Sequence, residues 1–276
     1  MEESAHIIRE EMISRKQTAG AFCGSPDTYV AVDLETTGLD PKHDKIIEIG
    51  AALVLGGEVV KTFSTLVNPR RELDERIEEL TGITSDMVAD APDINEVIGR
   101  MVDFCRDLPL LGHNIIFDYS FLKRASVNQG LSFEKKGIDT LTICRRFMPE
   151  EERKNLGNAS LYYGVKQEGA HRAMADALTA HLLYQAVKKI HFSTMPEAFS
   201  CRPLVYKVKK EQPATKKQKE VLRDLLKYHR INVSAQIDYL SRNEVSRMTD
   251  KIISQYGRIK RGDKECLTSV IKGQGK

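Results

Sequence analysis

The apolar residues between positions 28 and 67 fall into three strand-like runs. The first run opens with Tyr29 and contains Val32, and aromatic and β-branched residues of this kind favour extended backbone. Two further strands are predicted over Ile46–Leu55 and Glu58–Val67. The Gly56-Gly57 pair between them is typical of a tight hairpin turn. The pattern therefore predicts a meander of three strands.

Beyond residue 68 the apolar positions recur at helical spacing, with short apolar strands between the helices. The predicted helices cover Leu73–Leu80, Ile94–Asp107, Asp118–Asn128 and His171–Ile190, and the predicted strands cover Leu110–His113 and Ile138–Thr140, the second leading into a helix through Phe147. A strand meander followed by strands that alternate with helices indicates an α/β domain with a mixed sheet.

Both ends of the chain depart from this pattern. Residues 1–18 favour a short amphipathic helix, and a proline-containing linker follows Ser193. Capping boxes begin at Thr215 and Ser241, which predicts two helices ending near His229 and Gly257. We therefore expect an N-terminal helix and linker at 1–26, a main domain at 27–192, a linker at 193–213 and a small helical module at 214–276.

Charge is distributed unevenly between these parts, although the 276-residue chain has a net charge of only +3. Residues 202–276 carry 19 Lys and Arg against 8 Asp and Glu, whereas residues 1–201 carry 23 against 31. An acidic excess suits a carboxylate metal site, and a basic excess suits a polyanionic partner. A solvated pair of charged helices would explain the basic end as well.

The composition also narrows the expected compartment. No apolar run approaches the ~20 residues of a membrane span, and residues 1–11 lack the apolar stretch of a signal peptide. We therefore expect a cytoplasmic protein without a membrane partner. Five scattered cysteines with no C-x-x-C pair favour ordinary reduced thiols over a zinc site or a disulfide framework.

Two carboxylates lie at the end of the first strand. Asp33 and Glu35 are two residues apart and so project from the same face, while Leu34 points the other way. Neighbouring anions repel each other and resist desolvation. A divalent cation between them relieves both costs, since hard cations prefer oxygen ligands. The strand therefore predicts a metal site.

Two further polar clusters lie where helices begin. In the run from His113 to Asp118 an apolar strand ends and a helix starts, and a helix start favours the negative charge of Asp118. In the run from His171 to Asp176, a helix that begins near Ala173 would leave the histidine in the preceding loop and place the aspartate in its second turn. An imidazole and a carboxylate would then face one cleft.

Taken in order, these clusters resemble the three motifs of the DEDD exonucleases, in the subclass with an active-site histidine. The matching segments are Asp33-x-Glu35-Thr36-Thr37-Gly38, His113-Asn114-x-x-Phe117-Asp118 and His171-x-x-x-x-Asp176. Within that family the chain is most similar in character to the epsilon proofreading subunits of bacterial DNA polymerase III, and Thr81-Gly82-Ile83-Thr84 adds to the likeness. The resemblance covers roughly residues 27–190.

The resemblance implies a ribonuclease H-like fold and 3′→5′ hydrolysis of nucleic acid with two Mg²⁺ or Mn²⁺ ions ~3.5–4 Å apart, releasing nucleoside 5′-monophosphates. It implies that Asp33, Glu35 and Asp176 hold the first ion, that Asp33 bridges, and that Asp118 supports the second. In-line attack of water on a phosphodiester benefits from two such ions, and four carboxylates offset their charge.

The resemblance also assigns roles around the metal site. His171 would be the general base toward the attacking water, and its reference pKa of ~6.5 suits that task near neutral pH. Thr36, Thr37 and His113 match positions that lie near the 3′-terminal nucleotide in the family. His113 could equally be a structural histidine that bonds a turn.

Several functional alternatives stay open at this stage. DNA with a single-stranded 3′ end is the favoured substrate, but the motifs do not separate DNA from RNA, so an RNA 3′-end trimming enzyme of the ribonuclease T or oligoribonuclease kind is the first alternative. A catalytically inactive nucleic-acid-binding module is the second, and it would be expected to lack a site residue, whereas all five are present. Association with a polymerase and a free-standing nuclease both remain open.

The basic C-terminal helices predict an accessory contact with DNA or RNA. The cations available for it are Lys216, Lys217, Lys219, Arg223, Lys227 and Arg230 on the first helix and Arg258, Lys260 and Arg261 beyond the second. A solvated helix pair and a protein-binding module are the alternatives. A nucleic-acid contact would weaken steeply with added salt.

Overall fold

The computed structural model of the protein describes residues 26–167, 169 and 171–259. The helix predicted over residues 1–18 and the cations Lys260 and Arg261 lie outside these residues. Among the described helices, none combines the length and the hydropathy that crossing a bilayer requires.

A six-stranded mixed sheet lies at the centre of the fold, in the order β3-β2-β1-β4-β5-β6. Its strands are β1 Tyr29–Thr36, β2 Ile46–Leu55, β3 Glu58–Leu66, β4 Leu110–Gly112, β5 Lys136–Asp139 and β6 Arg202–Pro203. The first three pair antiparallel, whereas β4 runs parallel to β1 and β5. The predicted α/β class and mixed sheet are confirmed. The sequence does not predict β6, which is two residues long and contains a proline.

Helices cover the sheet, and the sequence locates the longer ones well. Those of the described chain are α1 Glu75–Thr81, α2 Ser85–Ala89, α3 Ile94–Cys105, α4 Ile116–Asn128, α5 Thr140–Phe147, α6 Leu156–Tyr162, α7 Ala173–His191, α8 Lys216–His229 and α9 Arg242–Tyr256. The predictions miss α2 and α6, which have five and seven residues and are too short for a helical period to stand out. The Thr84 and Asn155 side chains cap these two helices.

Two apolar layers pack on opposite faces of β1, and this decides where its carboxylates point. Val30 and Val32 face the layer that contains α3 and α4, while Tyr29 and Ala31 face the layer that contains α5 and α7. Residues two apart share a face of a strand. The odd-numbered face of β1 therefore continues toward α7, where Asp33 and Glu35 follow.

The segment predicted as a linker at 193–213 is packed against the main domain. Phe199 is buried in the layer beside α7, and the Leu204 N–H donates to the Lys135 carbonyl at 2.9 Å. Both predicted capping boxes form in the helical module, at Thr215 and Ser241. The helices α8 and α9 share a small apolar core of their own. The domain boundaries themselves stay a prediction.

Candidate active site

The β1 strand carries Asp33 and Glu35 to the surface of the sheet, as its alternation predicts. Both residues are half-buried, whereas Leu34 between them is buried in the opposite layer. Asp176 is buried and comes from the first turn of α7, so the predicted second turn is wrong; the helix begins only three residues earlier, at Ala173, which is less than one full turn. Ligand oxygens of these three carboxylates all lie within 4.8 Å of one another. The structure thus brings together residues from distant motifs, since Asp33 and Asp176 are 143 positions apart in the sequence.

Asp118 lies in the first turn of α4, buried next to this cluster. One of its carboxylate oxygens accepts a hydrogen bond from the Leu34 backbone N–H at 3.0 Å. Leu34 is the residue between the two carboxylates of β1, so this bond fixes Asp118 beside them. The pKa of Asp33 is raised by burial first and by the charge of Asp118 second, which places the two groups in electrostatic contact.

Burial and neighbouring negative charges perturb the pKa values of these carboxylates strongly. Burial raises the pKa of Asp33 and of Asp118 well above the usual range. Burial, with the charges of Asp176 and Glu48, raises the pKa of Glu35 to about 7. Desolvation and like charge both disfavour the ionised form of an acid. Clustered groups with raised pKa values are typical of functional sites.

The residues present fit divalent metal ions. The donor set is made of carboxylate oxygens alone, which is the chemistry that Mg²⁺ and Mn²⁺ select. The raised pKa values of Asp33, Glu35 and Asp118 have burial as their largest cause, and the charge of Arg172 lowers the pKa of Glu35 without offsetting it. A buried group of anions is stable only with a compensating positive charge. Asp33, Glu35 and Asp176 are therefore the candidates for one ion, with Asp118 beside them.

The stability of the metal-free protein should fall as the pH rises from about 4, where unfolded carboxyl groups titrate, toward about 7, the pKa of Glu35 in the folded protein. The folded state holds protons on Asp33, Glu35 and Asp118 that the unfolded chain has already lost, since unfolded carboxyl groups titrate near pH 4. His113 and His181, whose pKa values burial lowers, act in the opposite direction up to about pH 6.5, the usual pKa of histidine. Thermal unfolding with a chelator and with Mg²⁺ measures the effect. Mg²⁺ should raise Tm more at pH 8 than at pH 6.5, and an equal increment at both values would contradict the assignment.

His171 lies in the loop just before α7, as the sequence predicts, and it is exposed. The helix begins at Ala173, because His171 has φ 64° and cannot continue a right-handed helix. Its backbone N–H donates to Asp176 Oδ2 at 3.0 Å, and Gln167 Nε2 donates to Asp176 Oδ1 at 2.8 Å. The same carboxylate that joins the acidic cluster therefore also fixes the backbone of the histidine.

Glu48 on β2 also belongs to the site, and the sequence analysis misses it. It is 2% exposed and pairs in register with Glu35 of β1. Its carboxylate accepts from Arg172 Nη2 at 2.7 Å, from Arg172 Nε at 3.1 Å, and from the Ala173 N–H at 3.0 Å. Glu48 thereby caps α7 and holds the residue next to His171. A lone carboxylate inside the apolar run Ile46-Ile47-Glu48-Ile49 is the signal that could have revealed it.

Gly50 on β2 allows the N-terminus of α7 to lie in close contact with the sheet. A Cβ atom at Gly50 would lie 2.2 Å from the Ala173 carbonyl carbon and 2.2 Å from the Met174 nitrogen. Backbone atoms at that distance cannot yield as a flexible side chain would. Gly50 therefore sets the depth at which the N-terminus of α7, with Asp176, meets the carboxylates of β1.

His113 is held by two hydrogen bonds rather than pointing freely into the cleft. Its Nδ1 lies 2.9 Å from Thr140 Oγ1, and its Nε2 lies 2.6 Å from the Lys154 carbonyl oxygen. The neighbouring Asn114 has φ 71°, and its backbone N–H donates to Asp139 Oδ1 at 2.8 Å. These contacts favour the structural interpretation of His113, while its proposed contact with substrate stays a prediction.

Thr36 and Thr37 shape the loop that follows β1. The Thr36 hydroxyl donates to the Gly38 carbonyl at 2.6 Å. The Thr37 N–H donates to the Lys45 carbonyl at 2.9 Å, and the Lys45 N–H donates to Thr37 Oγ1 at 3.0 Å. We call residues 37–45 the β1–β2 loop. Both threonines therefore lie at the point where the chain leaves the acidic cluster.

Comparison with known proteins relates this site to a family. A family model described as an exonuclease matches residues 30–184, which include all five predicted catalytic residues. PolC-type DNA polymerase III of Clostridium perfringens is 38% identical over 165 residues, which make up 59% of this chain and 11% of that protein. The same kind of polymerase from Bacillus subtilis is 40% identical over 166 residues, or 59% of this chain and 12% of that protein. The chain thus spans a small fraction of the length of these relatives.

Solved structures show the same fold. The zinc-bound complex of E. coli ExoI with single-stranded DNA superposes with a TM-score of 0.54 at 20% sequence identity, covering 63% of this chain and 42% of that chain. The E. coli exonuclease I complex with a dT13 oligonucleotide gives a TM-score of 0.54 at 18% identity, covering 62% and 43%. At these identities the likeness concerns the fold.

Proposed function

The chain belongs to the exonuclease family, and from this membership we propose that it is a metal-dependent 3′→5′ exonuclease that releases nucleoside 5′-monophosphates. The observation that carries the proposal is the acidic cluster, in which Asp33, Glu35 and Asp176 present ligand oxygens within 4.8 Å of one another. DNA is the favoured substrate, because the relatives similar in sequence are DNA polymerases. The proposal concerns the exonuclease reaction alone, since the match covers 11–12% of those polymerases.

In this proposal the residues of the site have different roles in metal binding and proton transfer. Asp33, Glu35 and Asp176 would hold one divalent ion, and Asp118 would support a second. Bound there, the two ions would lower the pKa of the attacking water and stabilise the leaving oxygen. His171, exposed at the start of α7, would accept the proton of that water.

The proposal is tested by the release of mononucleotides from a 3′-labelled single-stranded DNA, with Mg²⁺ and with a chelator. We expect labelled nucleoside 5′-monophosphate with Mg²⁺ and none with the chelator. The same assay on RNA of the same sequence separates the favoured substrate from the alternative of RNA trimming. Absence of metal-dependent product on both substrates would refute the enzymatic proposal and leave a nucleic-acid-binding module.

Replacing His171 with asparagine should lower kcat by roughly 10²–10⁴-fold, which is the usual contribution of a general base. Asparagine tolerates the left-handed backbone at this position, and the residue is exposed, so the fold should be unaffected. Because the carboxylates remain, the Mg²⁺-induced rise in Tm should equal that of the wild type. His229→Asn, in the helical module, is the matched control. An unchanged kcat in the His171 variant would remove it from the role of base.

We also propose that the helical module adds a contact with the nucleic acid, through fewer cations than the sequence offers. Lys219 Nζ donates to the Asp238 carbonyl at 2.6 Å, and Arg223 forms an ion pair with the Asp238 carboxylate at 2.6 Å. These two cations are already engaged. The exposed cations that support the proposal are Lys216, Lys217, Lys227, Arg230 and Arg258.

Replacing Lys216 and Lys217 together with glutamine should weaken the binding of a long single strand and reduce its salt dependence. Two lost phosphate contacts would lower the slope of log K against log salt by about 1.4. Binding titrations at several salt concentrations measure this slope. Lys189→Gln, an exposed change in the last turn of α7, is the control. An unaltered slope would show that this surface does not contact the strand.

A further inference from the structure

The helical module touches the main domain beside the candidate active site, and the contact centres on one carboxylate. Glu244 in the first turn of α9 is 7% exposed. One of its oxygens is 2.7 Å from Lys45 Nζ and 4.0 Å from Arg71 Nη2. The other accepts from the Ser241 N–H at 2.8 Å and completes the capping box of the helix. Lys45 and Arg71, two cations of the main domain, therefore contact a buried anion of the helical module.

These two cations belong to the β1–β2 loop or hold it. Lys45 is the last residue of the loop and exchanges two backbone and side-chain hydrogen bonds with Thr37, at 2.9 and 3.0 Å. Arg71 Nη2 donates to the His43 carbonyl at 3.1 Å. A continuous chain of contacts therefore runs from Glu244 through Lys45 to Thr37, two residues from Glu35 of the acidic cluster.

Other polar contacts fix the same docking. The Gln236 N–H donates to the Arg70 carbonyl at 3.0 Å, and the Arg70 guanidinium lies 4.4 Å from the centre of the Tyr239 ring. Just before the module, Glu211 of the 193–213 segment pairs with Arg124 at 2.5 Å. A cavity of about 300 Å³ remains between the two parts, and charged side chains from both line it. The interface therefore rests on a few charged pairs rather than on continuous apolar packing.

From these contacts we infer that the helical module is part of the 3′-end binding site, with Glu244 as a positioning residue that holds the β1–β2 loop, and Thr37 on it, through Lys45 and Arg71. The inference rests on the proposed exonuclease function and extends it, because it makes the module a structural support of the terminal-nucleotide pocket as well as a basic surface. Without the charge of Glu244, two cations at the loop would repel each other, and the loop would sample other conformations.

The test is Glu244→Gln in the full chain. Glutamine at this position of a capping box keeps the cap, as Gln218 does in α8, so the substitution removes the charge and little else. Lys45 and Arg71 remain partly exposed and can be hydrated, so the protein should stay folded. Glu220→Gln, on the exposed side of α8, is the matched control.

The probe is deoxythymidine 5′-monophosphate, added with Mg²⁺. A single nucleotide can occupy the terminal pocket but is too short to reach the basic face of the module. We expect its Kd, and the KM of an oligonucleotide, to rise about fivefold in Glu244→Gln, with kcat within about twofold of the wild type. Lys45→Gln should give the same change, and the double variant no more than either single one, because the two residues act as one unit.

The outcomes separate this inference from the function on which it rests. If the wild type releases mononucleotides and Glu244→Gln matches Glu220→Gln in both Kd and KM, the inference is wrong and the exonuclease proposal stands. A raised KM for the oligonucleotide with an unchanged Kd for the mononucleotide would also overturn it, since the module would then act only on the distant strand. Absence of mononucleotide release by the wild type would instead refute the function.

Discussion

Asp33→Asn should lower the rate of mononucleotide release by roughly 10³-fold or more, while making the metal-free protein more stable. Asp33 contributes to the three-carboxylate cluster, and the charge of Asp118 acts on it as well, so its removal takes a ligand from the proposed metal site. Loss of groups that merely support metal ligands already costs roughly 10–100-fold, so loss of a ligand should cost more. Asparagine has the same shape but removes one of several neighbouring anions.

A higher stability of the metal-free Asp33→Asn protein distinguishes loss of activity at the metal site from loss of activity through misfolding. Burial and the charges of Asp118 and Asp176 act against the ionised form of Asp33, so its removal relieves repulsion in the metal-free protein. Tm with a chelator at pH 8 should therefore rise, and the increment that Mg²⁺ adds should shrink. Asp103→Asn, on the exposed side of α3, should change neither activity nor Tm. An active Asp33→Asn enzyme would exclude the cluster as the metal site.

Gly50→Ala should lower the free energy of unfolding by about 3 kcal/mol and abolish activity in the protein that remains folded. The added methyl group would lie 2.2 Å from backbone atoms of Ala173 and Met174. Overpacking typically costs about 1–3 kcal/mol, and a rigid backbone contact belongs at the upper end of that range. Movement of α7 away from β2 would separate Asp176 from Asp33 and Glu35. Denaturant titration and the mononucleotide assay measure the two effects.

Gly99→Ala is the matched control for this substitution. Gly99 lies within α3, and a Cβ atom there would meet nothing within 4 Å. Alanine in a helix interior is favoured over glycine by about 0.5–1 kcal/mol, so this variant should be slightly more stable than the wild type. The same added methyl group should therefore lower the free energy of unfolding at Gly50 and raise it at Gly99. A neutral Gly50→Ala would contradict the close contact between α7 and β2.

The sequence predicts the parts of the site that depend on local periodicity. Alternation along β1 places Asp33 and Glu35 on one face, and a helix start places Asp118 in a first turn. Asp176 lies near a helix start as well, although in its first turn and not in the predicted second one. The observed helix starts two residues from the predicted one at α4, because Ile115 and Ile116 adopt helical backbone before Asp118. The meander and the alternation after it predict the mixed sheet, but the observed strand order, which includes the unpredicted β6, is not part of that prediction.

Contacts between distant segments escape such local patterns. Glu48 and Arg172 are 124 positions apart, and their pairing depends on how α7 lies on β2. Lys45 and Glu244 are 199 positions apart and join two parts that the sequence treats as separate domains. The predicted linker at 193–213 packs on the main domain because Phe199 and Leu204 find apolar partners there. Periodicity describes which face of an element is apolar, but not the partner that covers it.

The direction of hydrolysis tests the central claim most directly. One single-stranded DNA is prepared with its label at the 3′ end and, separately, at the 5′ end, and each is incubated with the wild type and Mg²⁺. The account predicts labelled mononucleotide as the first product of the 3′-labelled strand and a ladder of shortening strands from the 5′-labelled one, with neither formed by Asp33→Asn. Labelled mononucleotide appearing first from the 5′ end, or the same products from Asp33→Asn, would contradict it.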